Sequence, residues 1–263
     1  MSIPVAARLT TLALVAAAAL TGCGGDDDSS DDADCGSPEA RTEHLTKETA
    51  VDALRSAAGD SITQHVRMQV DSGDQSFVME GDGDSGPSSF EAMDVEMDQG
   101  GRRLRMIYVD EVLYLSGPGL TDEGKFIEVD PDDEADPLAA AMKPALEGTG
   151  LADSFAAWEA ALVDVRFESD EVLEDGSEAE KYSFLMDSRA ALAIQRPGEP
   201  LPSGVPETLV NEVWVDSHNL VRRVEFTLDG ARTVVAMSDY CEPIDVEAPD
   251  EDDLAERNAI TEP

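Results

Sequence analysis

Two triplets in this sequence carry the residue types of a hydrolytic site. Gly83-Asp84-Ser85-Gly86-Pro87 has the order of a serine-protease nucleophile loop with one glycine missing, and Gly59-Asp60-Ser61-Ile62 opens like a Gly-Asp-Ser esterase. A serine nucleophile needs a base within hydrogen-bond reach and a third group that orients the base. The candidate bases are His44, His65 and His218. Neither His44 nor His65 stands in the context of a protease base, and Asp216 precedes His218 by two positions where the esterase pattern needs three. Both triplets therefore read as turns, which Gly, Asp and Ser favour for conformational reasons. No catalytic residue is expected.

Metal and phosphate chemistry find no better footing. There is no His-Glu-x-x-His motif, and the histidines are too scattered for a ligand set. Calcium loops starting at Asp82 or Asp130 would need an acidic residue at the twelfth position, where Met93 and Ala141 stand. No glycine-rich loop precedes a helix to cradle phosphate. The sequence thus points to no metal and no cofactor. With 18 basic against 58 acidic residues the net charge is −40, which repels nucleic acid and anionic lipid headgroups. At 41% hydrophobic the chain can still fill a packed core.

The residue with the clearest chemistry is Cys23. It closes Leu20-Thr21-Gly22-Cys23, the four-residue box at which bacterial lipoprotein precursors are cut and acylated. The box follows Arg8 and the apolar run 12–20, which is well short of the roughly 20 residues a spanning helix needs. Residues 1–22 read as a signal peptide and Cys23 as the lipidation site. The anchor would hold the chain on the extracytoplasmic face of the cell membrane, firmly if it supplies two acyl chains. Residues 23–40 continue as a spacer rich in aspartate, whose like charges extend it away from the membrane. Cys35 and Cys241 remain, an even pair in an oxidising compartment. They are a candidate disulfide, with two free thiols as the alternative.

Elements follow from periodicity. Val51, Leu54 and Ala58 share a face of a helix over residues 46–58, capped by Thr46 or Thr49 and stopped by Gly59. From residue 61 the period is two. Val66, Met68 and Val70 alternate with polar residues, as do Met93, Val95 and Met97. Phe77 and Met79 lie on a strand between them, and Leu104, Met106 and Tyr108 on a strand after Gly100-Gly101. Further strands are read at 112–115 and 125–129. Two helical pieces follow, 138–142, stopped by Pro144, and 151–162, with Leu151, Phe155, Trp158 and Leu162 on one face. Strands return at 163–167 and 182–186, then a short helix capped by Asp187 or Ser188. A proline-rich loop over 196–206 precedes closing strands at 209–215, 220–228 and 233–237. The acidic tail from residue 251 is expected to fray. One domain over residues 41–250 is simpler than two, because neither half has its own helical cover.

Methionine is conspicuous on the apolar faces: Met68, Met79, Met93, Met97 and Met106. They read either as ordinary core or as the lining of a deformable cavity, since thioethers adapt to irregular ligands. The candidate lining is Val66, Met68, Val70, Phe77, Met79, Met93, Val95, Met97, Met106, Tyr108, Phe155 and Trp158.

These features together resemble the actinobacterial LppX/LprG and LolA-like lipoproteins. The likeness is carried by the strand at 109–115 with Gly117-Pro118-Gly119, and by Gly124-Lys125-Phe126-Ile127-Glu128-Val129-Asp130. It is carried also by Leu209-Val210-Asn211-Glu212-Val213-Trp214-Val215-Asp216, by Leu220-Val221-Arg222-Arg223-Val224, and by Ser238-Asp239-Tyr240 with Pro243-Ile244-Asp245-Val246. The resemblance implies an α+β fold, a single antiparallel half-barrel of about 10–11 strands with helices packed in its concave face. It implies a non-enzymatic protein that binds lipid or glycolipid between sheet and helices, as an envelope carrier. The alternative is an interaction or sensor module with no lipid ligand, whose protein partner the sequence does not name.

Overall fold

The computed structural model describes residues 40–255, apart from 60–61, 74, 87–89, 134, 147–150 and 196–204. Val66, Met68 and Val70 belong to β1 (Ile62–Ser72), the first of eleven strands in one open antiparallel sheet. It is followed by β2 (Gln75–Ser85), β3 (Phe90–Gln99), β4 (Arg102–Val109), β5 (Val112–Ser116) and β6 (Ile127–Val129). These six form a meander, each hydrogen-bonded to the next. The turns obey their chemistry. Asp110 and Glu111 both take positive φ (53° and 64°), as a two-residue hairpin requires, and so do Gly100 and Gly101.

A second meander holds β7 (Leu162–Val172), β8 (Glu178–Asp187), β9 (Thr208–Val215), β10 (Val221–Leu228) and β11 (Ala231–Ser238). The two halves join where β1 pairs with β11, Val66 opposite Met237 and Val70 opposite Thr233. The strand order is therefore β6-β5-β4-β3-β2-β1-β11-β10-β9-β8-β7. The earliest and latest strands of the chain meet in the middle of the sheet.

Four α-helices are present among the described residues: α1 (Ala50–Ala58), α2 (Pro137–Leu146), α3 (Leu151–Ala161) and α4 (Ser188–Gln195). Thr49 occupies the N-cap of α1, but its hydroxyl makes no cap bond and instead accepts the Thr46 N–H at 3.0 Å. Gly59 ends the helix at φ 59°, its N–H donating to Arg55 O. Asp187 caps α4 as expected, its Oδ1 accepting from Arg189 N at 2.9 Å and Ala190 N at 3.0 Å.

Three expectations are corrected. Helix α2 does not stop before Pro144 but runs to Leu146. Pro137 opens it, where a missing N–H costs nothing, and Asp136 accepts the Leu138 N–H at 2.8 Å. A proline close to the C-terminal end forfeits one intrahelical bond and leaves little helix beyond it to disrupt. Second, residues 251–255 do not fray. Phe126 N donates to Asp253 O and Ala255 N to Phe126 O, both at 2.9 Å, while Lys125 Nζ lies 3.2 Å from Asp253. Third, β6 is three residues long, because residues 125–126 face this tail rather than β5. The loop read over 196–206 falls mostly outside the described residues.

Buried side chains form two clusters. The larger unites Val51 and Leu54 of α1 and Phe155 and Trp158 of α3 with Val66, Tyr182, Phe184, Val213, Val224, Val235 and Met237 of the sheet. The Trp158 ring meets Phe184 edge-on at 5.5 Å. The smaller unites Met93, Val95, Met106, Leu113, Leu115, Ile127 and Val129 with Ala139 of α2.

Candidate functional site

The pleat sends alternate residues to opposite faces, so the register decides which side chains meet. On the helix-bearing, inner face, Met68 lies opposite Met79, Met79 opposite Met97, and Met97 opposite Leu104. This makes a four-strand row of long, flexible apolar side chains, all half-buried. One step along, Val66, Gly81, Val95, Met106, Leu115 and Ile127 form the next row. Beyond it come Gln64, Gly83, Met93, Tyr108, Leu113 and Val129. On the other side Val70 faces Phe77.

The core breaks at β2. Its neighbours β1 and β3 bury Ile62, Val66, Val70, Met93 and Val95, yet β2 contributes no buried apolar side chain. Its inner positions are Phe77, Met79, Gly81, Gly83 and Ser85. Met68 packs against the larger cluster, Met79 and Met97 against the smaller, and Phe77 against neither. The candidate lining thus separates. Val66, Met68, Phe155 and Trp158 go with the larger cluster, and Met79, Met93, Val95, Met97, Met106 and Tyr108 with the smaller. Val70 is buried on β1 outside both.

Among these apolar rows sit polar groups without partners. Gln64 and Ser85 are each 0% exposed, and among the described residues neither Gln64 Nε2, Gln64 Oε1 nor Ser85 Oγ has a hydrogen-bond partner. Trp158 Nε1 and Thr233 Oγ1 are also buried and unpaired. Sequence parity carried the signal for Gln64, which shares the even positions of Val66, Met68 and Val70. The polarity of a glutamine masks it.

The outer face is charged. Glu80 lies opposite Glu96 and Asp82 opposite Asp94, like-charge pairs that repel across the strands. Arginines and a histidine on the flanking strands pair with them. Arg105 grips Asp94 with Nε at 2.9 Å and Nη2 at 2.6 Å, His65 Nδ1 lies 2.8 Å from Asp82, and Arg67 bonds Glu80. The Arg105 guanidinium is held above its ordinary pKa chiefly by the bond to Asp94.

At the β7–β8 end, the segment entering α1 is fastened to the sheet. Arg41 Nη2 donates to Glu180 at 2.7 Å, His44 Nδ1 is 3.2 Å from the same oxygen, and the His44 ring stacks on Phe167 at 3.8 Å. The Tyr182 hydroxyl donates to Glu180 and accepts the Leu45 N–H at 3.0 Å. Burial and the Glu180 hydrogen bond push the Tyr182 phenol up to about 12. Burial alone would raise the Glu180 carboxyl, but bonds from Tyr182 and His44 and the charge of Arg41 hold it below its ordinary value. Arg41 and Glu180 are 139 positions apart in sequence, and no local pattern marks the pairing.

The structure corrects the reading of the Gly83-Asp84-Ser85 triplet as a turn. It is the end of β2, with Ser85 opposite Ile62 and Phe90 across a bulge. Ser85 points inward while His65 occupies the outer face, so the sheet separates the two. Gly59 is a helix cap, and residues 60–61 lie outside the described set. His218 stands exposed in the Asp216–Asn219 turn, where Asp216 Oδ1 accepts from His218 N at 2.8 Å and Leu220 N at 3.0 Å. No group of side chains suited to a metal ion occurs among the described residues. No helix among them is long and apolar enough to cross a membrane. Cys23 and Cys35 lie outside the described residues. Cys241 follows β11 at φ 64°, its N–H donating to Thr63 O at 2.9 Å.

No protein-family model matches the sequence, and comparison with curated proteins finds no match. Solved structures do match. Lipoprotein LppX of Mycobacterium tuberculosis is 13% identical over 76% of this chain and 95% of its own, with a TM-score of 0.46. LprF from Mycobacterium bovis is 12% identical over 77% of this chain and 94% of its own, at 0.47. A LolA superfamily protein from Nitrosomonas europaea is 12% identical over 75% and 93%, at 0.26. The chain is therefore similar to structures of the LppX/LprG and LolA-like kind, the kind its motifs resemble. What its inner face can do is read from its own side chains.

Proposed function

We propose that this protein is a membrane-anchored extracytoplasmic lipoprotein that binds a lipid or glycolipid in an apolar cavity. The sheet curves as a half-barrel, and the ligand lies between its inner face and the helices. Acylated Cys23 tethers the chain, and residues 24–40 hold it off the bilayer.

One observation carries this reading: β2, an interior strand next to the middle of the sheet, buries no apolar side chain of its own, although both its neighbours do. A sheet that served only as a floor for its own helices would be covered without a break across its interior strands. Here Met68, Met79 and Met97 are only partly buried where the two clusters face each other, and Phe77, also partly buried, packs against neither. Burying such a row removes apolar surface from water at about 25 cal/mol per Å². Unbranched thioethers accommodate acyl chains of differing length and kink.

Native mass spectrometry of the chain purified from its own host, without detergent, tests the reading. The expected spectrum contains protein carrying masses of lipid size. Ligand-free protein alone, together with a crystal structure in which this chain's own residues cover Met68, Phe77, Met79 and Met97, overturns it. A protein partner released by salt, with no lipid, would favour the interaction-module alternative.

A further inference from the structure

We infer that Gln64 and Ser85 form a polar subsite within the apolar inner face, one that takes the uncharged hydroxyl or amide head of an amphiphile. This rests on the lipid-binding reading above and specifies which part of the ligand is recognised.

Gln64 is wholly buried, and both ends of its carboxamide lack a partner. A buried amide left unpaired is unfavourable, and native chains keep such groups satisfied by protein, water or ligand. Ser85 repeats the situation, with no exposure and no partner for its hydroxyl. The register places them together. Gln64 lies opposite Gly83, and Ser85 is two residues further along β2 on the same face, a diagonal spacing of about 7–8 Å. That is too far for two short groups to satisfy each other, and wide enough for a small group to bridge them. Gly83 between them has no side chain to intrude; where its Cβ would stand, the edge of the Phe90 ring lies 3.6 Å away and the Ala92 carbonyl oxygen 3.8 Å. Around this pair the inner face is apolar, with Ile62, Val66, Met93 and Met237 on the adjoining positions.

The chemistry of the pair sets the ligand class. A carboxamide offers one donor group and one acceptor, and a serine hydroxyl offers both. Their complement also both donates and accepts, which describes a hydroxyl or a secondary amide. A carboxylate or phosphate only accepts. None of the adjoining inner positions carries a cation, and the whole chain is at −40. An anion buried there without a counter-charge would be strongly disfavoured. The subsite therefore selects neutral hydroxylated or amide-linked amphiphiles over fatty acids and lipid phosphates.

The full chain carrying Cys23→Ser, so that it is not acylated, is loaded with diphenylhexatriene, a fluorescent hydrocarbon with no polar atom. Glycerol monolaurate and laurate then compete for the site. Glycerol monolaurate is expected to displace the probe at about tenfold lower concentration than laurate, the effect of one or two well-made buried hydrogen bonds. Gln64→Leu is expected to bind the probe as before, to melt no lower, and to lose that tenfold preference. Ser85→Ala, which removes one oxygen, is expected to lose part of it and guards against misfolding of the leucine variant. Unchanged preference in both variants, with probe binding intact, overturns the subsite and leaves the lipid-binding reading standing. A parent chain that binds neither probe nor glycerol monolaurate overturns both.

Discussion

Gly81 and Gly83 stand two residues apart on the inner face of β2, yet the structure treats them differently. A Cβ on Gly81 would lie 2.0 Å from the Asp94 carbonyl oxygen and 2.7 Å from the Val95 Cα. Both are backbone atoms of the paired strand and cannot turn aside. A Cβ on Gly83 would meet the Phe90 ring at 3.6 Å and the Ala92 carbonyl oxygen at 3.8 Å, both ordinary contacts. Gly81→Ala is therefore expected to destabilise the fold by about 1–3 kcal/mol or more, since overpacking must push strands apart. Gly83→Ala should cost little. Thermal unfolding of the two variants side by side checks this, and equal melting would remove the close approach as the reason for Gly81. Neither glycine announces its role in the sequence. A glycine inside a strand pattern signals a bulge or a close approach, and the neighbouring Asp82 and Asp84 made this stretch look like turn instead.

At the scale of elements, strands with one apolar and one polar face were legible and strands without that alternation were not. β1, β3, β4 and β10 declare themselves by period two. β7 was readable only at 163–167, because Ser169, Asp170 and Glu171 carry no apolar alternation, although the strand continues to Val172. The candidate lining was legible as a face, but its division at β2 depends on which strands the helices cover, and that is tertiary. The fastening of residues 41–45 to β7 and β8 is likewise tertiary, and it has a pH signature. The Glu180 carboxyl is held below its ordinary value in the folded chain, so the ionised form favours folding. Its contribution is fully present above the unfolded carboxyl value of about 4.3 and is lost as pH falls through the lower folded value. Glu180→Gln should accordingly lower the melting temperature at pH 7, and the gap to the parent chain should close as pH approaches the folded value. Amide exchange at Leu45, whose N–H is held by Tyr182, should quicken in the variant at pH 7. A gap that stays constant from pH 7 to pH 3 would mean that charge on Glu180 is not what holds the segment.

Over the whole molecule, the strand order brings the chain's beginning and end together. The described chain starts beside the β9–β10 turn, where Arg41 N donates to Ser217 O at 2.7 Å and its Nη1 reaches Asn219 at 2.5 Å. Cys241 lies on that side too. Its neighbour Tyr240 bonds the Val221 carbonyl, and the Arg222 guanidinium sits 5.0 Å from the Tyr240 ring while gripping Asp216. Cys35 stands six positions before Arg41, a reach of about 20 Å when extended. The pairing of Cys35 with Cys241 is thus within reach and would tie the acidic spacer to the centre of the sheet, beside the β1–β11 junction. Such a bond closes most of the chain into one loop and stabilises chiefly by restricting the unfolded state. A non-reducing peptide map should yield a Cys35–Cys241 peptide. Cys35→Ser and Cys241→Ser should each lower thermal stability, and the double variant should lower it no further than either alone, since each single change already removes the whole cross-link. Additive losses, or a map with both thiols free, would show that the spacer is joined to the sheet by the backbone alone.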